Sequence, residues 1–206
     1  MSTQASQTDK TAFFDDLSNR WDSKLDLTAL HARLVHELQQ FAIQPHEHVI
    51  DVGCGTGNMT QALLALLGTS GRITAVDVSA AMIARAQNKI SDSRVSWHVG
   101  DALHLPNQDS SVDRVMYFQV WPHFDDTKAV AQECWRVLKP GGCLHIWHID
   151  SRERINQIHA GISNPAVASD WLDPASETAQ VLQDAGLISN HVSESEKHYL
   201  VSAYKP

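Results

Sequence analysis

In Val49-Ile50-Asp51-Val52-Gly53-Cys54-Gly55-Thr56-Gly57-Asn58, an apolar run rich in β-branched residues ends in an acid and then in glycines at every second position. The amphipathic run after it, residues 59–67, has helical spacing, so the stretch predicts a strand, a tight turn and a helix. Glycine permits the sharp turn and lets backbone approach a ligand closely, while the N-terminus of the following helix offers unpaired N–H groups. Such a loop suits a nucleotide-like molecule. The dinucleotide spacing G-x-G-x-x-G wants glycine where this chain has Asn58, whereas Gly53, Gly55 and Gly57 satisfy G-x-G-x-G.

The same grammar continues downstream. Residues 72–78 read as a second strand ending in Asp77, which lies about 20 residues past the glycine loop, where a carboxylate can accept both ribose hydroxyls of a nucleoside. Ser79 caps a helix over 80–90. Residues 95–100 alternate like a strand and run into Asp101-Ala102-Leu103. The turn-rich segment 107–111 leads into a fourth strand, 112–119, and a helix over 126–138 follows. Lys139-Pro140-Gly141-Gly142 makes a tight reversal before a fifth strand, 143–150. Asp150-Ser151-Arg152-Glu153 has the D-x-x-E form of a capping box and opens a helix over 152–160. A last long helix, 173–185, precedes a strand pair, 187–193 and 198–203. Upstream, Phe13, Phe14, Leu17 and Trp21 fall at helical spacing, and a second helical pattern covers 25–41. Strands alternating with helices predict a parallel sheet with helices on both faces, a doubly wound α/β sandwich that binds ligands at the carboxyl ends of its strands. Asp51, Gly53, Asp77, Asp101 and Gln119 all fall at such ends.

VIDVGCGTGNMT looks like motif I of the class I S-adenosylmethionine (SAM)-dependent methyltransferases, and it resembles most closely their type 11 and ubiquinone/menaquinone-biosynthesis-like branch. The segment Gly100-Asp101-Ala102 resembles the element that recognises adenine in that family, and Leu138-Lys139-Pro140-Gly141-Gly142 resembles its turn before the fifth strand. The resemblance implies a Rossmann-like, seven-stranded sheet, mostly parallel with the last strand antiparallel, preceded by lid helices. It also implies a cofactor site: Asp51 at the amino end of SAM, Gly53, Gly55 and Gly57 along the methionine and ribose, Asp77 with Val78 at the ribose, Met82, Asp101 and Ala102 at the adenine, and Gln119 at the end of the fourth strand. The segment from Phe13 to Asp22 resembles the family's lid, which makes Phe14 and Trp21 candidates for covering cofactor and substrate. Both residues serve equally well as core anchors of an amphipathic helix, and Met82 as ordinary core.

The chain has 206 residues, 43% of them hydrophobic and 19% charged, which suits one domain with a sizeable core. Residues 1–8 are polar and read as disordered, 9–42 as N-terminal helices and 46–206 as the α/β core. A net charge of −8 without a Lys/Arg cluster argues against a nucleic-acid face and for small-molecule partners. No apolar run approaches the roughly 20 residues that span a bilayer, and the polar start lacks the apolar core of a signal peptide, which predicts a cytoplasmic protein. Cys54, Cys134 and Cys143 are scattered and odd in number, as expected of reduced thiols.

Methyl transfer from a sulfonium asks the protein mainly to align the acceptor and exclude water. A protic acceptor needs a base as well, for which His123, His148 and His159 are the candidates. Trp121 follows the fourth strand, where acceptor contacts begin in this family. Arg152, Asn156 and His159 recur on one helix face beside an apolar stripe of Ile155, Ile158 and Ile162, and this polar stripe is expected to face the substrate. The segment 151–159 also resembles an S-R-E-x-I-N-x-x-H element of uncharacterised methyltransferases. No strong metal motif is present. His148, Asp150 and His159 are the weak alternative, and His145 and His148 cannot pair because they point to opposite faces of a strand. Two other functions remain: a nicotinamide-dependent oxidoreductase, disfavoured by Asn58 and by Asp51 just before the loop, and a SAM-binding protein without catalysis.

Overall fold

The computed structural model describes residues 7–206. The expected disordered start falls mostly outside them, although Gln7 and Thr8 already belong to the first helix. In chain order the elements are α1 (Gln7–Leu17), α2 (Leu27–Leu38), β1 (His48–Val52), α3 (Asn58–Leu66), β2 (Arg72–Asp77), α4 (Ala80–Lys89), β3 (Val95–Val99), β4 (Val112–Phe118), α5 (Thr127–Val137), β5 (Leu138–His148), α6 (Arg152–Ala160), α7 (Pro165–Ala168), α8 (Ala175–Asp184), β6 (Ile188–Ser195) and β7 (His198–Tyr204). The seven strands form one sheet in the order β3-β2-β1-β4-β5-β7-β6. All neighbours as far as β5 pair in parallel, and β7 runs antiparallel to both β5 and β6. Chain direction switches sides between β1 and β4, and that is the crevice where a sheet of this kind receives ligands.

Alternation along the strands divides the core between the two faces. Ile50, Val52, Val115, Tyr117, Leu144 and Ile146 pack under α5 and α8, while Val49, Ile73, Met116 and Trp147 pack with Leu34, Leu38, Met59 and Leu63 of α2 and α3. Helix starts are set by short polar side chains, as expected of N-caps: Asp26 accepts from Ala29 N at 3.0 Å, Ser79 from Met82 N at 3.1 Å and Asp126 from Ala129 N at 2.9 Å.

Three local expectations are corrected. The cap of α6 is Ser151, which accepts from Arg154 N at 3.1 Å, and Asp150 stands exposed before it. The Lys139 to Gly142 reversal does not precede β5 but lies within it, as a bulge between the pairs Val112/Leu138 and Arg114/Cys143; Gly141 N and Gly142 O are taken up by the backbone of Lys205, so the segment stays laddered. The four-residue α7 was not foreseen, since Pro165 after its cap Asn164 is the only start signal and the helix is too short for a period to show.

A buried ion pair fixes the strands that carry the crevice. Arg114 of β4 makes a two-pronged contact with Glu47, Nε to Oε2 at 2.7 Å and Nη2 to Oε1 at 2.9 Å. Its Nη1 donates to His145 Nε2, and His145 Nδ1 in turn donates to Ser202 on β7 at 2.8 Å. Burial and the neighbouring guanidinium hold His145 well below the usual histidine range, so its ring is neutral and can accept from the arginine. Glu47→Ala strands a buried guanidinium and is expected to lower the unfolding free energy by about 3–5 kcal/mol, read from the denaturant midpoint.

Candidate functional site

At the carboxyl ends of β1, β2 and β4 a cavity of about 410 Å³ opens, within the size range of small-molecule sites. Its floor is the loop 53–57. Gly53 N and Cys54 N both donate to Val76 O, at 2.8 and 3.1 Å, which folds the loop back over β2. Gly53 has φ +70°, and a Cβ there would lie 2.3 Å from Val120, so both backbone and packing require glycine. A Cβ on Gly55 would meet nothing within 4 Å, because that residue faces the cavity.

Asp77 closes the floor. Its Oδ2 accepts from Gly55 N at 2.8 Å and its Oδ1 from Ser79 N at 2.9 Å, which joins the glycine loop to the start of α4. Burial raises its carboxyl above the usual range against these two N–H bonds. Asp51 lies beneath the loop, 1% exposed, with Oδ2 accepting from Thr60 Oγ1 at 2.5 Å and Oδ1 buried without a partner. Burial pushes its carboxyl up to about 7, opposed by the Thr60 bond and reinforced by the charge on Asp77. Cys54 lines the cavity, but burial lifts its thiol well above the usual value and leaves it a poor nucleophile.

The N-terminal segment covers the cavity, and three charged side chains tie it down. Asp15 accepts from Ser79 Oγ at 2.5 Å and from Ala81 N at 3.3 Å. Asp22 accepts from Thr56 Oγ1 at 2.9 Å and Asn58 Nδ2 at 3.0 Å. Lys10, 4% exposed, reaches Asp125 Oδ1, Asp170 Oδ1 and the carbonyl of His123, each at 2.8 Å. The aromatic residues of this segment are legible from their helical spacing, whereas the ties made by Asp15 and Asp22, next to Phe14 and Trp21, carry no periodic signal.

Many of the expected site residues line the cavity together: Gly53, Gly55, Asp77, Val78, Met82, Ala102, Gln119, Trp21, Phe14, His123 and Asp150. Others are placed elsewhere. Gly57 is packed below the loop, where a Cβ would lie 2.9 Å from Ile90. The Asp101 carboxylate turns back onto Leu103 N at 2.5 Å, leaving its neighbours Gly100 and Ala102 at the wall. Trp121 is 3% exposed and wedged between Tyr117 and Phe124, since an aromatic ring this apolar finds more contact in the core than at a wet rim.

In the polar stripe of α6, Asn156 and His159 are buried and Arg152 is half-buried, none of them against the cavity. Asn156 brackets Leu172, donating to its carbonyl at 3.0 Å and accepting from its N–H at 2.8 Å. His159 Nδ1 donates to Asp170 O at 3.0 Å, and burial lowers the basicity of its ring. Arg152 lies against Glu153 and Glu194. Asn156 and His159 satisfy the backbone of a connection that has no ladder of its own, which is why they turn inward while Ile158 is 44% exposed.

His148 is fully buried behind Gln119, with Nδ1 donating to Gln119 Oε1 at 3.0 Å. Burial, then the nearby His123 and His159, lower it to about 3, so it is neutral and lies behind the cavity wall. His123 alone of the three histidines lines the cavity. Its Nδ1 meets Asp170 Oδ2 at 2.5 Å, a partner that no sequence spacing announced. His148, Asp150 and His159 do not come together: among the described residues no group of three His, Cys, Asp or Glu side chains is placed to hold a metal ion. Among the same residues no helix is long and apolar enough to cross a membrane.

A family model described as a methyltransferase domain matches residues 49–142. The chain is 32% identical over 139 residues to a demethylmenaquinone methyltransferase of Lactiplantibacillus plantarum, which covers 64% of this chain and 58% of that protein. It is 30% identical over 141 residues to a biotin biosynthesis bifunctional protein, BioHC, of Teredinibacter turnerae, covering 63% of this chain and 24% of the relative. The chain thus spans less than two thirds of the length of either. Among solved structures, a SAM-dependent methyltransferase from Aquifex aeolicus superposes with a TM-score of 0.68 at 23% identity, over 87% of this chain and 98% of its own. The [4+2]-cyclase SpnF superposes with a TM-score of 0.78 at 17% identity, over 98% of this chain and 97% of its own. The glycine loop, Asp77 and the strands β2 to β4 thus fall within a segment, residues 49–142, that is similar to a methyltransferase domain.

Proposed function

We propose that this protein transfers a methyl group from SAM to a small-molecule acceptor. The observation that carries the reading is one cavity in which the glycine loop and Asp77 adjoin a wall of Phe14, Leu25, Leu30, Phe118, Phe124 and Ile149. The residues present fit SAM. Asp77 retains lone pairs beyond its two N–H bonds for ribose hydroxyls, Gly55 leaves room for a ligand against the backbone, and Asp51 Oδ1 is a buried acceptor in want of a cation, such as the ammonium of an amino acid. Met82, Val78 and Ala102 would flank the base, and Trp21 with Phe14 would cover the cofactor. When bound, SAM supplies an electrophilic methyl on a sulfonium. The chain holds the acceptor in line with it and, through the tied-down lid, keeps water away.

The relative named as acting on demethylmenaquinone supports a small-molecule acceptor. The free cysteines suit a reducing, cytoplasmic setting. Release of S-adenosylhomocysteine on incubation with SAM and a panel of small phenols, amines and thiols tests the reading; SAM binding without turnover of any acceptor would favour a non-catalytic role.

Two substitutions probe the cofactor end. Asp77→Ala is expected to weaken SAM by about 1–3 kcal/mol in a calorimetric titration, with the fold retained by circular dichroism. For Asp51 the sign follows from its raised carboxyl. Between the ordinary carboxylate range and about pH 7 the unfolded chain has already lost a proton that the fold retains, so ligand-free stability falls as pH rises through that window. An ammonium beside Asp51 favours the ionised form, so SAM binding is expected to tighten over the same rise, by at most about tenfold per pH unit. Asp51→Asn is expected to flatten both trends, measured by thermal unfolding and calorimetry from pH 5 to 7.

A further inference from the structure

We propose that His123 and Asp170 form a proton-accepting pair for a flat apolar acceptor bearing a weakly acidic hydroxyl, of the phenol or enol type. This rests on the reading of the cavity as a site of SAM-dependent methyl transfer. His123 is presented by a fixed turn: its N–H donates to Val120 O at 2.9 Å, its carbonyl accepts from Lys10 at 2.8 Å, and buried Trp121 and Pro122 precede it. Asp170 engages Nδ1 at 2.5 Å, so the proton sits on Nδ1 and the Nε2 lone pair is the ring's remaining acceptor.

Asp170 is held in turn. Its second oxygen takes Lys10 at 2.8 Å, its carbonyl accepts from His159 at 3.0 Å, and Asn156 grips Leu172 two residues on. Burial would push the Asp170 carboxyl up, but the bonds from His123 and Lys10 outweigh it and keep it below the usual range, ionised. The inward stripe of α6 therefore acts through Asp170: Asn156 and His159 are positioning residues for the pair, not contacts of the acceptor. Lys10 comes from α1, so the pair is complete only with the lid in place.

The chemistry selects the acceptor. The acceptor O–H gives its proton to His123 Nε2 while an oxygen lone pair bonds the methyl carbon. The electrons of the breaking S–C bond pass to sulfur, which becomes a neutral thioether, and the single positive charge moves from sulfonium to imidazolium beside the Asp170 carboxylate. An imidazole does this best for a hydroxyl whose acidity is not far from its own, as in a phenol, and poorly for an aliphatic alcohol. The wall beside His123 agrees, because the Phe14 ring stands edge-on at 5.1 Å from the imidazole and Phe124 and Phe118 also line the cavity.

4-Nitrophenol, whose colour reports its ionisation, tests this without turnover. It is titrated against the protein loaded with S-adenosylhomocysteine, at a pH one unit below the free phenol's own pKa. Wild type is expected to bind it more than half ionised. In His123→Gln the bound probe should stay near the roughly tenth ionised in water, with Asp170→Asn in between. A far-ultraviolet circular dichroism spectrum and a thermal unfolding transition like those of wild type, with measurable S-adenosylhomocysteine binding in both variants, show that the site is folded. A probe that fails to bind wild type, binds it un-ionised, or ionises equally in His123→Gln overturns the pair. Failure of wild type to bind SAM would instead overturn the reading on which the pair rests.

Discussion

The carboxylate of Asp77, accepting from Gly55 N and Ser79 N, is the interaction on which the rest of the site depends. A loop of alternating glycines with positive φ has little to hold it in one shape, and its freedom must be removed before it can shape a cavity. Two carbonyl-directed bonds to Val76 and the bond from Gly55 N to Asp77 remove it, and they do so from the neighbouring parallel strand. The parallel register of β1 with β2 is therefore part of the binding site: it sets Val52 against Val76 and brings the ends of both strands level.

Above that floor, closure of the cavity is electrostatic as much as apolar. The lid aromatics Phe13, Phe14 and Trp21 stack edge-to-face on one another, but Trp21 is still 39% exposed. What registers the segment on the core is the set Lys10, Asp15 and Asp22, each of which reaches a different part of the rim. Lys10 binds the connection after β4 and the loop before α8, Asp15 binds the start of α4, and Asp22 binds the glycine loop through Thr56 and Asn58. A lid held by hydrogen bonds and ion pairs can open without exposing a large apolar core.

The fold was legible because its signals are local and repeat. The strands β1, β2 and β4 are short runs with β-branched residues, the starts of α2, α4, α5 and α6 carry Asp or Ser, and the glycine loop with an acid at the next strand end fixes the crevice. At the site, residues attached to strand ends were legible for the same reason: Gly53, Gly55, Asp77, Ala102 and Gln119 sit where strand order alone puts them. What could not be read is what depends on contacts across the chain. Asp170 is 47 residues from His123 and lies in a connection without periodicity. The α6 stripe showed that Arg152, Asn156 and His159 share a face, but periodicity does not say what the face meets: Asn156 and His159 meet backbone, and Arg152 meets Glu153 and Glu194. Trp121 stands next to a site segment, and its size decided for the core.

The central claim is that the glycine loop and Asp77 recognise SAM and not a dinucleotide. Calorimetric titration of the protein with SAM, beside the same titration with a nicotinamide dinucleotide, tests it most directly. Micromolar binding of SAM alone, near −8 kcal/mol, is the expected result. Binding of the dinucleotide with none of SAM would contradict it, and the roles given to Asp51, Asp77 and the loop would fall together.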